Sequence, residues 1–133
     1  MSDYFVWDPA QYGIKVQAMD REHETLIGLM NKVHTLHQAG AATPALAKAL
    51  NELVAYTQKH FADEEAYMAK IGFPELRLHA GIHKQLLERV GVFAAEFART
   101  GALTDAFFAF LKMWLKAHIC GIDAKYGQKS QVA

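Results

Sequence analysis

Residues 60–83 read HFADEEAYMAKIGFPELRLHAGIH. One helical pattern ends inside this stretch and another begins, with Gly72, Phe73 and Pro74 as the break between them. His60 and Glu64 stand four residues apart before the break, and His79 and His83 four apart after it. Four residues bring a side chain back to the same face of an α-helix, so each pair shares a face. A connection this short favours antiparallel neighbours. The turn therefore carries both pairs to one end of a helical hairpin.

Outward from that hairpin, breakers divide the rest of the chain. A first helical pattern runs over 19–38 and stops at AGAATP. A second opens with Thr43 as N-cap and Pro44 at the first helical position, and continues to Ile71. The third begins near Pro74, runs to Arg99 and is ended by Gly101. The fourth takes Thr104 or Asp105 as cap and runs into KAHICGIDAKYG at 116–127. Each segment carries an inward stripe with the alternating three-and-four spacing of a bundle seam. The first reads His23, Leu26, Met30, Val33, and the second Leu46, Leu50, Leu53, Thr57, His60, Glu64, Tyr67, Ile71. The third reads Leu76, His79, His83, Leu86, Val90, Phe93, Phe97, and the fourth Phe107, Leu111, Trp114, His118. The expected fold is all-α, an antiparallel up-down-up-down four-helix bundle with an irregular N-terminal arm. One domain spans 1–133: an arm over 1–18 holding Trp7, Pro9, Tyr12 and Gly13, the bundle over 19–122, and a tail over 123–133.

In that topology His23, near the start of the first helix, and His118, near the end of the fourth, fall at the same end as His60, Glu64, His79 and His83. Asp123, just past the last turn, falls there too. A lone His-x-x-x-Glu or His-x-x-x-His more often faces water than binds a metal. Polar groups on an apolar seam, however, cost several kcal/mol unless partnered, and here five imidazoles and two carboxylates converge. His118 and Asp123 are five residues apart, a rotation of about 140° on a regular helix. Gly121 between them can adopt backbone angles that a side chain penalises, so the chain can leave the helix and turn Asp123 inward. His34 lies eleven residues beyond His23, about 16 Å along the axis, whereas metal–nitrogen bonds are about 2 Å. His34 and the still more distant His37 are excluded from the cluster.

The 133 residues bound one domain large enough to bury a core without staples. Fourteen basic and fourteen acidic residues cancel, which removes the electrostatic footprint of a nucleic-acid or anionic-membrane partner. The single cysteine, Cys120, cannot form an internal disulfide and reads as a small buried or interfacial residue. The N-terminus lacks a signal-peptide layout, and no apolar run approaches spanning length. A soluble, cytoplasmic protein is expected. No stripe demands self-association, so a monomer is expected as well.

Zinc usually takes four ligands, fewer than this set offers. Two octahedral metals fit better, with Glu64, Asp123 and an oxygen bridging them. The metal with three histidines is then six-coordinate, and the one with two is five-coordinate with an open position. Imidazole-rich, carboxylate-bridged sites with an open position suit iron. The motifs D-R-E-H at 20–23, H-F-A-D-E at 60–64, H-A-G-I-H at 79–83 and H-I-C-G-I-D at 118–123 together resemble haemerythrin, and specifically its bacterial branch. The Trp7 and Tyr12 arm is similar to that branch too, and the full ligand set is present. The resemblance implies a non-haem di-iron centre: two iron ions with an oxo or hydroxo bridge, and dioxygen as ligand. His79, His83 and His118 would hold the filled iron, His23 and His60 the open one, and Glu64 and Asp123 would bridge. Dioxygen would bind end-on at the open iron and leave again as dioxygen.

The residues favour binding over catalysis. Carboxylate-rich di-iron bundles use Glu-x-x-His pairs, and their anionic charge favours higher oxidation states. Neutral imidazoles favour the ferrous pair. Leu26, Trp114, Leu115 and Ile119, within a helical turn of ligands, are candidate lining of an apolar oxygen pocket. No positioned acid, base or nucleophile stands beside the ligands; Tyr67 and Tyr126 are nearest and read as structural or supporting. The expected function is an oxygen carrier or store, not an enzyme, with an oxygen-consuming enzyme as candidate partner. The alternatives are oxygen or redox sensing through a separate partner, and a di-iron redox enzyme acting on peroxide or nitric oxide.

Overall fold

The computed structural model describes residues 17–118. The described residues form four helices: α1 (Gln17–Gln38), α2 (Thr43–Lys70), α3 (Leu76–Thr100) and α4 (Asp105–Ala117). The fold is the expected all-α four-helix bundle, with α1 starting two residues before the sequence pattern suggests. The arm residues Trp7, Pro9, Tyr12 and Gly13 lie outside the described residues, as do Ile119, Cys120, Gly121, Asp123 and Tyr126. No described helix is long and apolar enough to cross a membrane.

Two helix starts differ from expectation. Ala42, not Thr43, is the N-cap of α2, with extended backbone and no side-chain cap. The Thr43 hydroxyl instead donates to the Gly101 carbonyl at 3.1 Å, tying the α1–α2 connection to the end of α3. Helix α3 begins at Leu76 rather than near Pro74. Pro74 and Glu75 form a turn closed by the Leu76 N–H donating to the Phe73 carbonyl at 3.3 Å. At α4 the Thr104 side chain does cap, accepting from the Phe107 N–H at 3.3 Å.

The turn between α2 and α3 brings the two halves of the residue 60–83 motif together. Gly72 has φ of +66°, the left-handed region that glycine enters without a Cβ penalty. The Phe73 N–H then reaches the Met68 carbonyl at 2.9 Å, and the Gly72 N–H the Ala69 carbonyl at 3.2 Å. The orphan carbonyls at the end of α2 are satisfied in this way, and Phe73 folds in to only 8% exposure. Gly72→Ala forces a Cβ into that conformation and is expected to lower stability by about 1 kcal/mol. The check is urea unfolding: a lower midpoint with an unchanged slope.

The apolar stripes largely pack as read. Leu26, Met30, Val33, Leu46, Leu50, Leu53, Val90, Phe97, Phe107, Leu111 and Trp114 are all buried. Tyr67, Ile71, Leu76, Leu86 and Phe93 are only partly buried against that core. Ile27, Ala49, Phe61, Met68, Phe108, Phe110 and Leu115 join it, because a globular bundle buries a face wider than the strict seam. At the end remote from the histidine cluster the filling is aromatic. Phe93 lies 5.4 Å from both Phe107 and Phe110, and His34 stands edge-on to Phe108 at 4.9 Å, closing α1 against α4.

Candidate metal centre

Six of the seven expected ligand-type residues lie among the described residues, and the bundle buries every one of them. His23, His60, Glu64, His79, His83 and His118 are each at most 4% exposed. They form two groups with one shared member. His23, His60 and Glu64 make one, and Glu64, His79, His83 and His118 the other, each group placing one candidate ligand atom per residue within 4.8 Å of the rest. Asp123, the seventh, lies outside the described residues.

Glu64 stands between the groups. Its Oε2 is 3.3 Å from His23 Nε2, and its Oε1 is 3.3 Å from His60 Nε2 and 3.2 Å from His83 Nε2. His83 Nε2 in turn lies 3.2 Å from His118 Nε2. The His79 ring stands across from those of His83 and His118, with centroids 4.5 and 5.0 Å apart. Two donors at right angles, each about 2.1 Å from one ion, are about 3.0 Å from each other, so these separations fit atoms sharing a metal. Burial by itself would raise the Glu64 pKa. Hydrogen bonds with His23, His60 and His83 outweigh it and hold the carboxyl well below its usual range. Glu64 therefore stays an anion at neutral pH, the form that can hold a cation. A buried anion ringed by imidazoles suits a borderline first-row transition metal, iron included.

Three neighbours of the cluster escaped the sequence reading. His60 Nδ1 donates to Glu22 Oε1 at 2.7 Å, and His83 Nδ1 to Glu65 Oε2 at 3.0 Å. Phe61 stacks flat on the His83 ring at 3.8 Å with planes 3° apart. A signal existed, since Glu22 precedes His23, Glu65 follows Glu64 and Phe61 follows His60. One residue along a helix turns a side chain about 100° from the seam, toward an adjacent helix.

Of the candidate pocket residues, Leu26, Trp114 and Leu115 are buried. The Trp114 ring lies 6.1 Å from that of His118 and 5.9 Å from Phe61. Its indole N–H meets no acceptor among the described residues. Ile119 and Tyr126 lie outside them, and Tyr67 packs partly buried against the core. His34 sits at the aromatic end beside Gln38, 3.3 Å away, and His37 tilts over Phe108 at 5.1 Å. Burial, then the neighbouring His37, lowers the His34 pKa. His34→Ala is expected to leave the metal content of the purified protein unchanged, as elemental analysis would show.

A four-helix bundle with a double histidine–carboxylate cluster buried at one end defines a bundle metalloprotein. The family model described as Hemerythrin HHE cation binding domain matches residues 15–129. The chain is 38% identical over 122 residues to a myohemerythrin of Riftia pachyptila, covering 92% of this chain and 90% of that one. It is 34% identical over 124 residues to a bacteriohemerythrin of Pseudomonas aeruginosa (strain UCBPP-PA14), covering 92% and 79%. A solved structure of wild-type hemerythrin superposes with a TM-score of 0.86 at 28% identity, covering 94% of this chain and 96% of its own. A leucine-to-tyrosine variant of hemerythrin gives 0.88 at 26%, covering 96% and 97%. The chain belongs to the haemerythrin family.

Proposed function

We propose that this chain is a reversible dioxygen-binding protein with a non-haem di-iron centre. His79, His83 and His118 would hold one iron, His23 and His60 the other, which keeps a position open for dioxygen, and Glu64 would be shared between them. Asp123, outside the described residues, would be the second carboxylate ligand. The observation that carries this reading is the Glu64 carboxylate, within 3.3 Å of histidines from both groups and fully buried. Bound iron supplies the electrons and the open coordination position for dioxygen.

The side chains do the rest. Outward contacts of Nδ1 with Glu22 and Glu65 leave Nε2 of His60 and His83 as the nitrogens that face the cluster and would take a metal. Leu26, Trp114 and Leu115, with Ile119 as proposed fourth member, exclude water and with it the protons that would trap reduced oxygen at the site. The reading makes the protein a carrier or store in the cytoplasm, monomeric, serving an oxygen-consuming enzyme. Its test is the optical spectrum of reduced, iron-loaded protein cycled between argon and air. A visible charge-transfer band that comes with air and goes under argon, repeatedly, supports it. Irreversible oxidation at first contact with air overturns it in favour of a sensor or redox enzyme.

A further inference from the structure

We propose that Glu22 and Glu65 are positioning residues, one for each metal position, and that each orients a histidine carried by the next helix along the chain. The proposal rests on the two-metal reading above. Helix α1 carries His23 and, beside it, Glu22, which reaches across to His60 on α2 at 2.7 Å. Helix α2 carries Glu64 and, beside it, Glu65, which reaches across to His83 on α3 at 3.0 Å. Each of these two helices thus grips a ligand of its successor. His60 belongs to the group of His23, and His83 to the group of His79 and His118, so the two carboxylates serve different metals.

The chemistry follows from the ring. A carboxylate accepts and does not donate, so Nδ1 of both histidines carries a hydrogen, and Nε2 is the nitrogen that a metal would take in place of its hydrogen bond to Glu64. Nε2 is the atom turned to Glu64, at 3.3 Å for His60 and 3.2 Å for His83. The carboxylate also makes the imidazole a stronger donor to a metal. The two positions differ in access. The Glu22 side chain is 17% exposed and lies 3.9 Å from the Lys59 ammonium. The Glu65 side chain is 38% exposed and, with His83, Ala80, Lys84 and Leu87, lines a groove of about 540 Å³ open to solvent.

The test titrates cobalt(II) into the full metal-free chain, comparing the parent with Glu22→Gln and Glu65→Gln. Glutamine keeps an acceptor of nearly the same shape and removes only the charge. The parent is expected to bind two cobalt ions. Each variant should lose about 10- to 100-fold in affinity at one position and keep the other, with unchanged helix content. Glu52→Gln, remote from the cluster and paired with Lys32 at 3.1 Å, should change neither. In a His60→Ala background, Glu22→Gln should cost nothing further, because the residue acts through that ring. Intact affinities in both variants, loss at the same position in both, or a Glu22→Gln effect that persists without His60 overturns the proposal. A parent that binds no second cobalt overturns the two-metal reading and this proposal with it.

Discussion

Glu64→Ala should strip iron from both positions at once. The carboxylate is fully buried and is the one side chain common to both groups. Without it, two dications sit among imidazoles with no anion from the described part of the cluster to offset them. Removing one partner of a buried charge pair costs about 3–5 kcal/mol, which is roughly a hundred- to several-thousandfold in affinity. Iron retained after desalting should fall from two per chain to below one. Glu64→Gln keeps the shape without the charge and should lose iron as well, which separates ligation from packing. Circular dichroism establishes that the helices persist. Two irons retained by either variant would mean that Glu64 is not shared.

His118→Ala should act on one position alone. His118 is on the C-cap of α4, still helical at φ −70° and ψ −51°, with its N–H bonded to the Leu115 and Trp114 carbonyls. That backbone holds Nε2 3.2 Å from His83 Nε2, within the three-histidine group and away from His23 and His60. Its loss leaves that group two imidazoles, and iron content should halve from two to about one per chain. The remaining iron lacks its partner, so the air-dependent band should vanish altogether. An unchanged iron count would place His118 outside the centre.

Much of this arrangement was legible because the cluster breaks an otherwise apolar pattern. Histidines and a glutamate on seam positions are conspicuous against leucine and phenylalanine, and the up-down topology alone sends them to one end. The same logic set His34 apart, and it packs on Phe108 at the other end. What the seam could not show lies one residue off it. Glu22, Glu65 and Phe61 face adjacent helices, and their significance depends on interhelical geometry that spacing within a helix does not encode. Thr43 misled for a related reason. A threonine before Pro44 has the local signature of a cap, but its hydroxyl is taken by Gly101, 58 residues away. The partly buried Tyr67, Ile71 and Phe93 reflect a wider apolar face whose margin no strict periodicity fixes.

The most direct test of a centre built around one shared carboxylate is its stoichiometry. Metal-free protein is dialysed to equilibrium against ferrous iron under argon, and iron is counted per chain. Two irons per chain, falling together on Glu64→Ala, is the predicted result. Saturation at one iron, or none, contradicts a Glu64 shared between two metals.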